Sequence, residues 1–458
     1  MSVPIFDSFL TTTEIIDVFD DVAVLQAMLD FEAALAQAQA DEGLISQEIA
    51  HTITRHCDAA QFDVPAIIVA ARRAGSMAIP LVKALTQRVA ETDKEAATKV
   101  HWGSTSQDVI DTAAVLVTRR ALELIDTELV ALAGRLLDLA DAHQNTPVLA
   151  RTLMQPAQTT SLGFKFMNWA APLVRSRAQL RTLAQQALQV QLGGAIGTLA
   201  VMGDKGPAVV LRVAQKLKLT PPLGNWHTQR DEWVRLGLEV SVLTGSLGKI
   251  AKDLSLMSQG EIGELAEPSG KGRGGSSAMP HKRNPVSSMI ALAAAGRTPH
   301  KAAALLANMP QEHERGLGNW QAELAEWPGL FFSAYGALTA LREAFSGLVI
   351  DADRMRRNID SLQGLIFAEA VSVYLAGAIG RPAAHHLMEE LTGKALAERT
   401  HLADVVTQAV KDDEQLSQQI DLQVLNDLFD PVKACRAAQR LTLDRIGPLR
   451  DILQHADA

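Results

Sequence analysis

The stretch LGLEVSVLTGSLGKIAKDLSLM, residues 236–257, decides the fold class of this chain. Its large apolar residues alternate in steps of four and three. They are Leu236, Val240, Leu243, Leu247, Ile250, Leu254 and Met257. Such steps keep the apolar side chains along one face of a helix, as in helical bundles. The pattern over residues 230–259 therefore predicts one helix about 45 Å long, at a rise of about 1.5 Å per residue.

Four more segments carry the same helical periodicity, at residues 107–143, 159–189, 286–309 and 322–349. Three prolines fall inside these patterns. We expect Pro172, Pro299 and Pro328 to kink or interrupt their helices, because proline removes a backbone hydrogen bond. Five long helices predict an all-α protein built around a helical bundle.

Length and composition agree with this fold class. The chain has 458 residues, of which 47% are hydrophobic but only 4% aromatic, which favours close-packed helices over sheets. We predict an N-terminal helical domain at 1–105, a central long-helix bundle at 106–350 and a C-terminal helical domain at 351–458.

Long helices that are apolar on more than one side also predict association with further copies of the chain.

Charge and cysteine content exclude several classes of partner. The net charge of -9, with acidic and basic residues intermixed, gives no basic patch for nucleic acid. The uncharged run 182–203 is too polar to span a membrane. Only Cys57 and Cys435 are present, and no secretory signal is recognisable, so we expect a cytoplasmic protein. No motif for a metal, nucleotide or flavin occurs, and we expect no cofactor.

The segment GSSAMPHKRNP, residues 275–285, places hydroxyls, a lysine and an amide on one loop. Glycines precede it at 270, 272 and 274, and they allow backbone conformations that other residues resist. This pattern is typical of an active-site lid that binds a small anion. A solvated, flexible connection would fit the composition equally well.

This loop resembles the GSSxMPxKxNP signature of the fumarase/aspartase superfamily. The resemblance implies a metal-free homotetramer whose active sites combine three segments from different subunits. It also implies transfer of a proton next to a carboxylate. In this resemblance Ser277 carries the proton transfer, while Lys282 and Asn284 bind the carboxylate that becomes doubly negative. Lys282 remains a second candidate for the acid, and Ser276 and Met279 are expected to bind substrate.

Residues 101–108, HWGSTSQD, resemble a second superfamily segment, HxGxTSxD. The resemblance implies that His101, Thr105 and Ser106 bind substrate. The N-terminus of a helix near residue 107 would favour an anion there. Plain capping by Ser106 or Asp108, with His101 an ordinary half-buried histidine, is the alternative interpretation.

Residues 151–158, RTLMQPAQ, resemble the third segment, RTHxQPA, of the nucleotide- and argininosuccinate-cleaving branches. Thr152 and Gln155 would then bind a carboxylate. Leu153 occupies the position of the catalytic histidine in those branches, and Met289 occupies that of the glutamate that partners it. Losing both together is coherent, because either one alone would lack its partner. A C–N lyase that uses this histidine is therefore not expected.

Two further segments, NWHTQRD at 225–231 and MPQEHER at 309–315, resemble the 3-carboxy-cis,cis-muconate cycloisomerase branch. The resemblance implies that His313 and Arg315 line the site, with Arg315 available as a carboxylate clamp. A loop followed by a helix start explains most of residues 226–231 equally well. The expected reaction is lactonisation of 3-carboxy-cis,cis-muconate in aromatic catabolism. The alternatives are a 3-sulfomuconate substrate, an adenylosuccinate-type lyase and a catalytically silent structural protein.

Overall fold

The computed structural model describes residues 5–270, 274–275, 279 and 281–455, most of which are helical. The N-terminal part contains α1 (Ile5–Ser8), α2 (Thr13–Val18), α3 (Asp21–Asp41), α4 (Gln47–Arg55), α5 (Val64–Ala74), α6 (Ala78–Ala90) and α7 (Lys94–Ala97). The central part contains α8 (Ser106–Ala142), α9 (Leu162–Ala187), α10 (Gly206–Leu217), α11 (Asp231–Met257), α12 (Val286–Ala307) and α13 (Asn319–Ser346). The C-terminal part contains α14 (Ala352–Asp360), α15 (Ala368–Ile379), α16 (Arg381–Glu398), α17 (Leu402–Asp412), α18 (Glu414–Gln419), α19 (Leu422–Asp427), α20 (Pro431–Ala434) and α21 (Arg436–His455).

The five long helices predicted from periodicity are confirmed as α8, α9, α11, α12 and α13. All seven periodic apolar residues of α11 are buried, which explains the strict spacing. Of the two effects expected at Pro172, Pro299 and Pro328, interruption was wrong, because each helix continues through its proline. Burial of neighbouring side chains, such as Leu173 and Leu330, offsets the lost hydrogen bond. A kink at these prolines stays a prediction.

The periodicity did not predict the β-hairpin that precedes α9. Strand β1 (Pro147–Thr152) pairs antiparallel with β2 (Gln155–Ser161), so the predicted helical start at 159 was wrong. Thr152 pairs with Gln155, which leaves a turn of two residues between the strands. A second small sheet joins β3 (Leu265–Ala266) to β4 (Val349–Ile350).

The chain divides into two compact units. The first comprises Met1–Leu129, Arg175–Gly248 and Ile290–Ala340, and the second comprises Val130–Val174, Lys249–Met289 and Leu341–Ala458. In the core of the first unit, Trp233 stacks on Trp327 with ring centroids 3.9 Å apart. In the second unit, the C-terminal helices bury a cluster of their own that includes Val371, Leu402 and Leu425. The three-domain division at residues 105 and 350 stays a prediction.

Within the part of the chain that the structure describes, no group of three or more His, Cys, Asp or Glu side chains is arranged to hold a metal ion. The expectation of no cofactor stays a prediction. Taken one at a time, the described helices are too short or too polar to cross a membrane, and only the bent pair 352–360 and 365–379 meets the length and composition limits.

Candidate active site

Asp108 fixes the chain at the N-terminus of α8. Its side chain is fully buried, and Oδ2 accepts hydrogen bonds from the backbone N–H groups of Thr105 at 3.0 Å and Gly194 at 2.9 Å. Oδ1 accepts the N–H of Gly193 at 3.0 Å. The capping interpretation of Asp108 is therefore confirmed, since its carboxylate binds the N–H that precedes the helix. This contact holds Thr105 at the end of the helix where an anion is favoured.

His227 completes the contacts of Asp108. Its Nε2 lies 2.7 Å from Asp108 Oδ1, and both side chains are buried. The Asn225 side chain accepts the backbone N–H of His227 through Oδ1 and lies 3.0 Å from the ring Nδ1 through Nδ2. Because Nδ2 can only donate, Nδ1 accepts and Nε2 carries the proton that Asp108 binds. The histidine thus serves to position the start of α8.

Arg230 is a second buried link to α8. It is fully buried and forms salt bridges to Asp111 at 2.9 Å and Glu323 at 2.5 Å. Burial alone would lower the pKa of Arg230, but the two carboxylates outweigh it and raise the pKa. Trp226 lies under the guanidinium, with 4.6 Å between the ring centroid and Cζ. These contacts connect α8, the segment before α11 and α13.

The interpretation of residues 226–231 as a loop followed by a helix start is confirmed, since α11 begins at Asp231. The buried roles of Asp111, Glu323 and Arg230 were not foreseen. The available signal was the spacing of three between Asp108 and Asp111, which places two carboxylates on one face of α8.

Thr105 and Arg315, both predicted site residues, lie in contact. Arg315 Nη1 donates to Thr105 Oγ1 at 2.9 Å, and burial lowers the pKa of the guanidinium while Asp108 and Asp111 oppose that shift. Ser106 is half-buried in the first turn of α8. A guanidinium and a hydroxyl at a helix N-terminus are suited to binding a carboxylate.

His313 and His101 both adopt left-handed backbone conformations, with φ of 47° and 58°. His313 is exposed, and its carbonyl accepts the Thr228 hydroxyl at 3.1 Å. His101 Nδ1 lies 2.5 Å from Oε1 of the buried Glu32. Burial alone would lower the pKa of His101, but the Glu32 carboxylate raises it overall. His101 therefore has a specific contact with a buried carboxylate, beyond an ordinary half-buried histidine.

The second unit contains the hairpin segment. Thr152 and Gln155 are the last paired residues of the two strands, and both are exposed. Between them, Leu153 and Met154 are 96% and 71% exposed and have φ of 51° and 66°. A left-handed conformation costs an ordinary residue about 1–2 kcal/mol. Large apolar side chains are therefore presented to solvent in a strained turn.

The lid segment also belongs to the second unit, and two contacts fix its base. The buried Glu267 carboxylate accepts the N–H groups of Ser287 at 2.9 Å and Ser288 at 2.8 Å, at the N-terminus of α12. The Gly274 carbonyl accepts the Asn284 N–H at 2.8 Å. Gly274 and Asn284, which lie ten positions apart in the lid segment, are thus held together by a backbone hydrogen bond.

Three of the predicted lid residues, Met279, Lys282 and Asn284, lie among the described residues. Lys282 is exposed, and its N–H donates to the Met279 carbonyl at 3.1 Å, while Asn284 is half-buried. Ser276 and Ser277 lie outside the described residues. The hairpin turn and the lid thus belong to the second unit, and the N-terminus of α8 and Arg315 belong to the first.

Comparisons with known proteins agree with these segments. A family model described as "Lyase" matches residues 10–299, and one described as "Adenylosuccinate lyase C-terminus" matches residues 364–444. The chain is 45% identical over 443 residues to a 3-carboxy-cis,cis-muconate cycloisomerase of Bradyrhizobium diazoefficiens, covering 97% of each chain. It is 36% identical over 446 residues to a nitrosuccinate lyase of Streptomyces davaonensis, covering 96% of this chain and 93% of that one.

Among solved structures, the 3-carboxy-cis,cis-muconate lactonizing enzyme from Pseudomonas putida matches with a TM-score of 0.92. The two sequences are 42% identical, and the match covers 99% of this chain and 100% of that one. The predicted all-helical fold is confirmed by this likeness. The chain therefore belongs to the fumarase/aspartase superfamily of lyases, enzymes that act on small carboxylate substrates.

Proposed function

We propose that this enzyme closes 3-carboxy-cis,cis-muconate into 4-carboxymuconolactone, a step of aromatic catabolism. The observation that carries the proposal is the 45% identity to a 3-carboxy-cis,cis-muconate cycloisomerase over 97% of both chains. Leu153 and Met289 add support, because both are apolar and exposed where nucleotide-cleaving relatives use a histidine and a glutamate.

The reaction is an isomerisation of the acid, and because the attacking carboxylate is ionised, one proton is taken up from solvent through the enzyme. A carboxylate oxygen of the substrate forms a bond to one carbon of a double bond. The electron pair of that bond moves to the neighbouring carbon, beside another carboxylate, and this carbon then accepts a proton from the enzyme. Because the nucleophile belongs to the substrate, the enzyme must fold the substrate, neutralise its carboxylates and supply one proton.

The N-terminus of α8 is suited to the first of these tasks. The Arg315 guanidinium and the Thr105 hydroxyl are 2.9 Å apart, so one carboxylate can contact both, with Ser106 in the same helical turn. His101, whose pKa is raised by the Glu32 carboxylate, adds a second nitrogen donor in the segment before α8. His313 is proposed to contact the substrate from the segment that carries Arg315.

The lid and the hairpin supply the remaining groups. Lys282 and Asn284 stabilise the carboxylate that becomes doubly negative when its neighbouring carbon gains the electron pair. Ser277 delivers the proton, and Lys282 is the alternative acid. Substrate contacts from Ser276 and Met279, and from Thr152 and Gln155, complete the site. We propose a homotetramer in which these segments come from different subunits.

The rival substrates differ in what they demand of this site. A 3-sulfomuconate presents a comparable anion to the same donors. An adenylosuccinate-type lyase would need the histidine and glutamate that Leu153 and Met289 replace. A catalytically silent structural protein would not need Ser277, Lys282 and Asn284, all of which are present.

The test is the ultraviolet absorbance of 3-carboxy-cis,cis-muconate after addition of EDTA-treated protein, with 3-sulfomuconate and adenylosuccinate in parallel. Loss of the diene signal supports the proposal and ranks the two muconates. No change with either muconate would overturn it. Ser277→Ala should abolish turnover without changing the sedimentation of the oligomer. Near-normal activity of that variant would transfer the acid role to Lys282 or a histidine.

A further inference from the structure

The turn between β1 and β2 contains residue types that rarely occupy its backbone conformation. A two-residue hairpin with positive φ at both central positions is normally made with Asn-Gly or Asp-Gly, because these residues tolerate that backbone. Here Leu153 and Met154 occupy both positions, with φ of 51° and 66°. Neither residue type is suited to the conformation.

The strain is not offset by burial within this chain. Leu153 is 96% exposed and Met154 is 71% exposed, so neither side chain stabilises a core. The strands do not need this turn sequence, since Asn-Gly would satisfy the same register between Thr152 and Gln155. The fold therefore carries two costs, backbone strain and exposed apolar surface, that bring it no stability. Strained residues of this kind concentrate where a side chain must be presented to a ligand.

The turn lies directly beside residues proposed to bind substrate. Thr152 and Gln155 are the flanking residues on each side, and consecutive Cα atoms are only about 3.8 Å apart. A substrate whose carboxylate contacts Thr152 and Gln155 thus has its carbon chain within reach of the turn. The carbon chain of a muconate is a flat, apolar diene between charged ends, and aliphatic side chains are the complementary surface.

We propose that Leu153 and Met154 form an apolar cap on the carbon chain of the substrate and thereby determine specificity for a diene. This inference rests on the proposed function. The cap excludes water from the carbon that carries the developing negative charge, which strengthens the stabilisation of that charge by nearby donors. It also keeps water away from the double bond, so that the substrate carboxylate remains the nucleophile.

The test is a double variant, Leu153→Asn with Met154→Gly, which gives the turn its preferred sequence and removes both apolar side chains. We expect its thermal midpoint to rise, because strain is relieved, while kcat/KM falls at least about tenfold for both the 3-carboxy and the 3-sulfo substrate. The exchanged variant, Leu153→Met with Met154→Leu, keeps the apolar surface and should stay within about threefold of wild type.

Arg399→Gly is the matched control. Arg399 is an exposed residue of the same unit with φ of 53°, at the end of α16, so its replacement relieves strain at a residue with no proposed substrate contact. It should raise the thermal midpoint and leave kcat/KM unchanged. A near-normal kcat/KM of the double variant Leu153→Asn with Met154→Gly would overturn the proposal of an apolar cap. Lost activity accompanied by a lower midpoint or a dissociated oligomer would also overturn it, in favour of a subunit contact. Wild-type protein inactive on both muconates would overturn the proposed function and the cap together.

Discussion

Asp108→Asn offers a quantitative test of how the start of α8 is held. Asp108 is fully buried and accepts four hydrogen bonds of 3.0 Å or shorter, from the N–H groups of Thr105, Gly193 and Gly194 and from His227. Asparagine has nearly the same shape but retains only one acceptor oxygen. The NH2 group of asparagine would take the place of the second carboxylate oxygen. Because this group only donates, two of the four donors would lose their acceptor.

The magnitude follows from the bonds that are lost. Two hydrogen bonds to a charged acceptor disappear, each worth about 1.5–3 kcal/mol, so the free energy of unfolding should fall by about 3–6 kcal/mol. For a unit of this size, we expect the thermal midpoint to fall by at least about 6 °C. The kcat/KM should also fall at least about tenfold, because Thr105 is no longer fixed beside Arg315.

The assay is near-ultraviolet circular dichroism during heating, since Trp226 and Trp320 contact the buried network around Asp108 and Asp111. Protein concentration must be fixed, because an oligomer has a concentration-dependent midpoint. Asp231→Asn is the matched control, since Asp231 lies in the first turn of α11 but is half exposed, with only a surface ion pair to lose. A midpoint of Asp108→Asn within about 2 °C of wild type would refute the reasoning.

Two further predictions concern the pair around His101 and the base of the lid. The raised pKa of His101 means that its charged pairing with Glu32 stabilises the fold fully below the unfolded-state pKa of about 6.5 and is lost as pH rises through the folded-state pKa. The stability difference between wild type and His101→Gln, measured by chemical denaturation, should therefore be larger at about pH 6 than at about pH 9, and a pH-independent difference would contradict this. Gly274 has φ of 65°, and an added Cβ would lie 2.7 Å from the Asn284 carbonyl, so Gly274→Ala should lower kcat/KM at least about tenfold with little change in thermal midpoint. Gly270→Ala, where an added Cβ meets nothing within 4 Å, should retain activity, and equal effects of the two substitutions would argue against a constrained lid base.

Much of the fold could be predicted from local pattern, and the exceptions have physical causes. The periodicity of α11 predicted a buried helix because each apolar residue returns to one face after three or four positions. The hairpin was missed because β1 and β2 lack regular alternation of apolar and polar residues, and their turn contains neither Asn nor Gly. The three prolines do not interrupt their helices, because packing around a helix can offset the local cost of a proline and the local pattern does not reveal that packing.

The sequence by itself determined the helical class, the superfamily and the chemical groups of the site, because all three are recorded in residue types at fixed spacings. Only the tertiary structure decided which of those groups meet. It paired Thr105 with Arg315, and it assigned Asp108 and Arg230 to buried support. It also showed Leu153 in a strained, exposed turn. Contacts between residues distant along the chain, and backbone strain, depend on how the helices pack, and a single sequence does not record that packing.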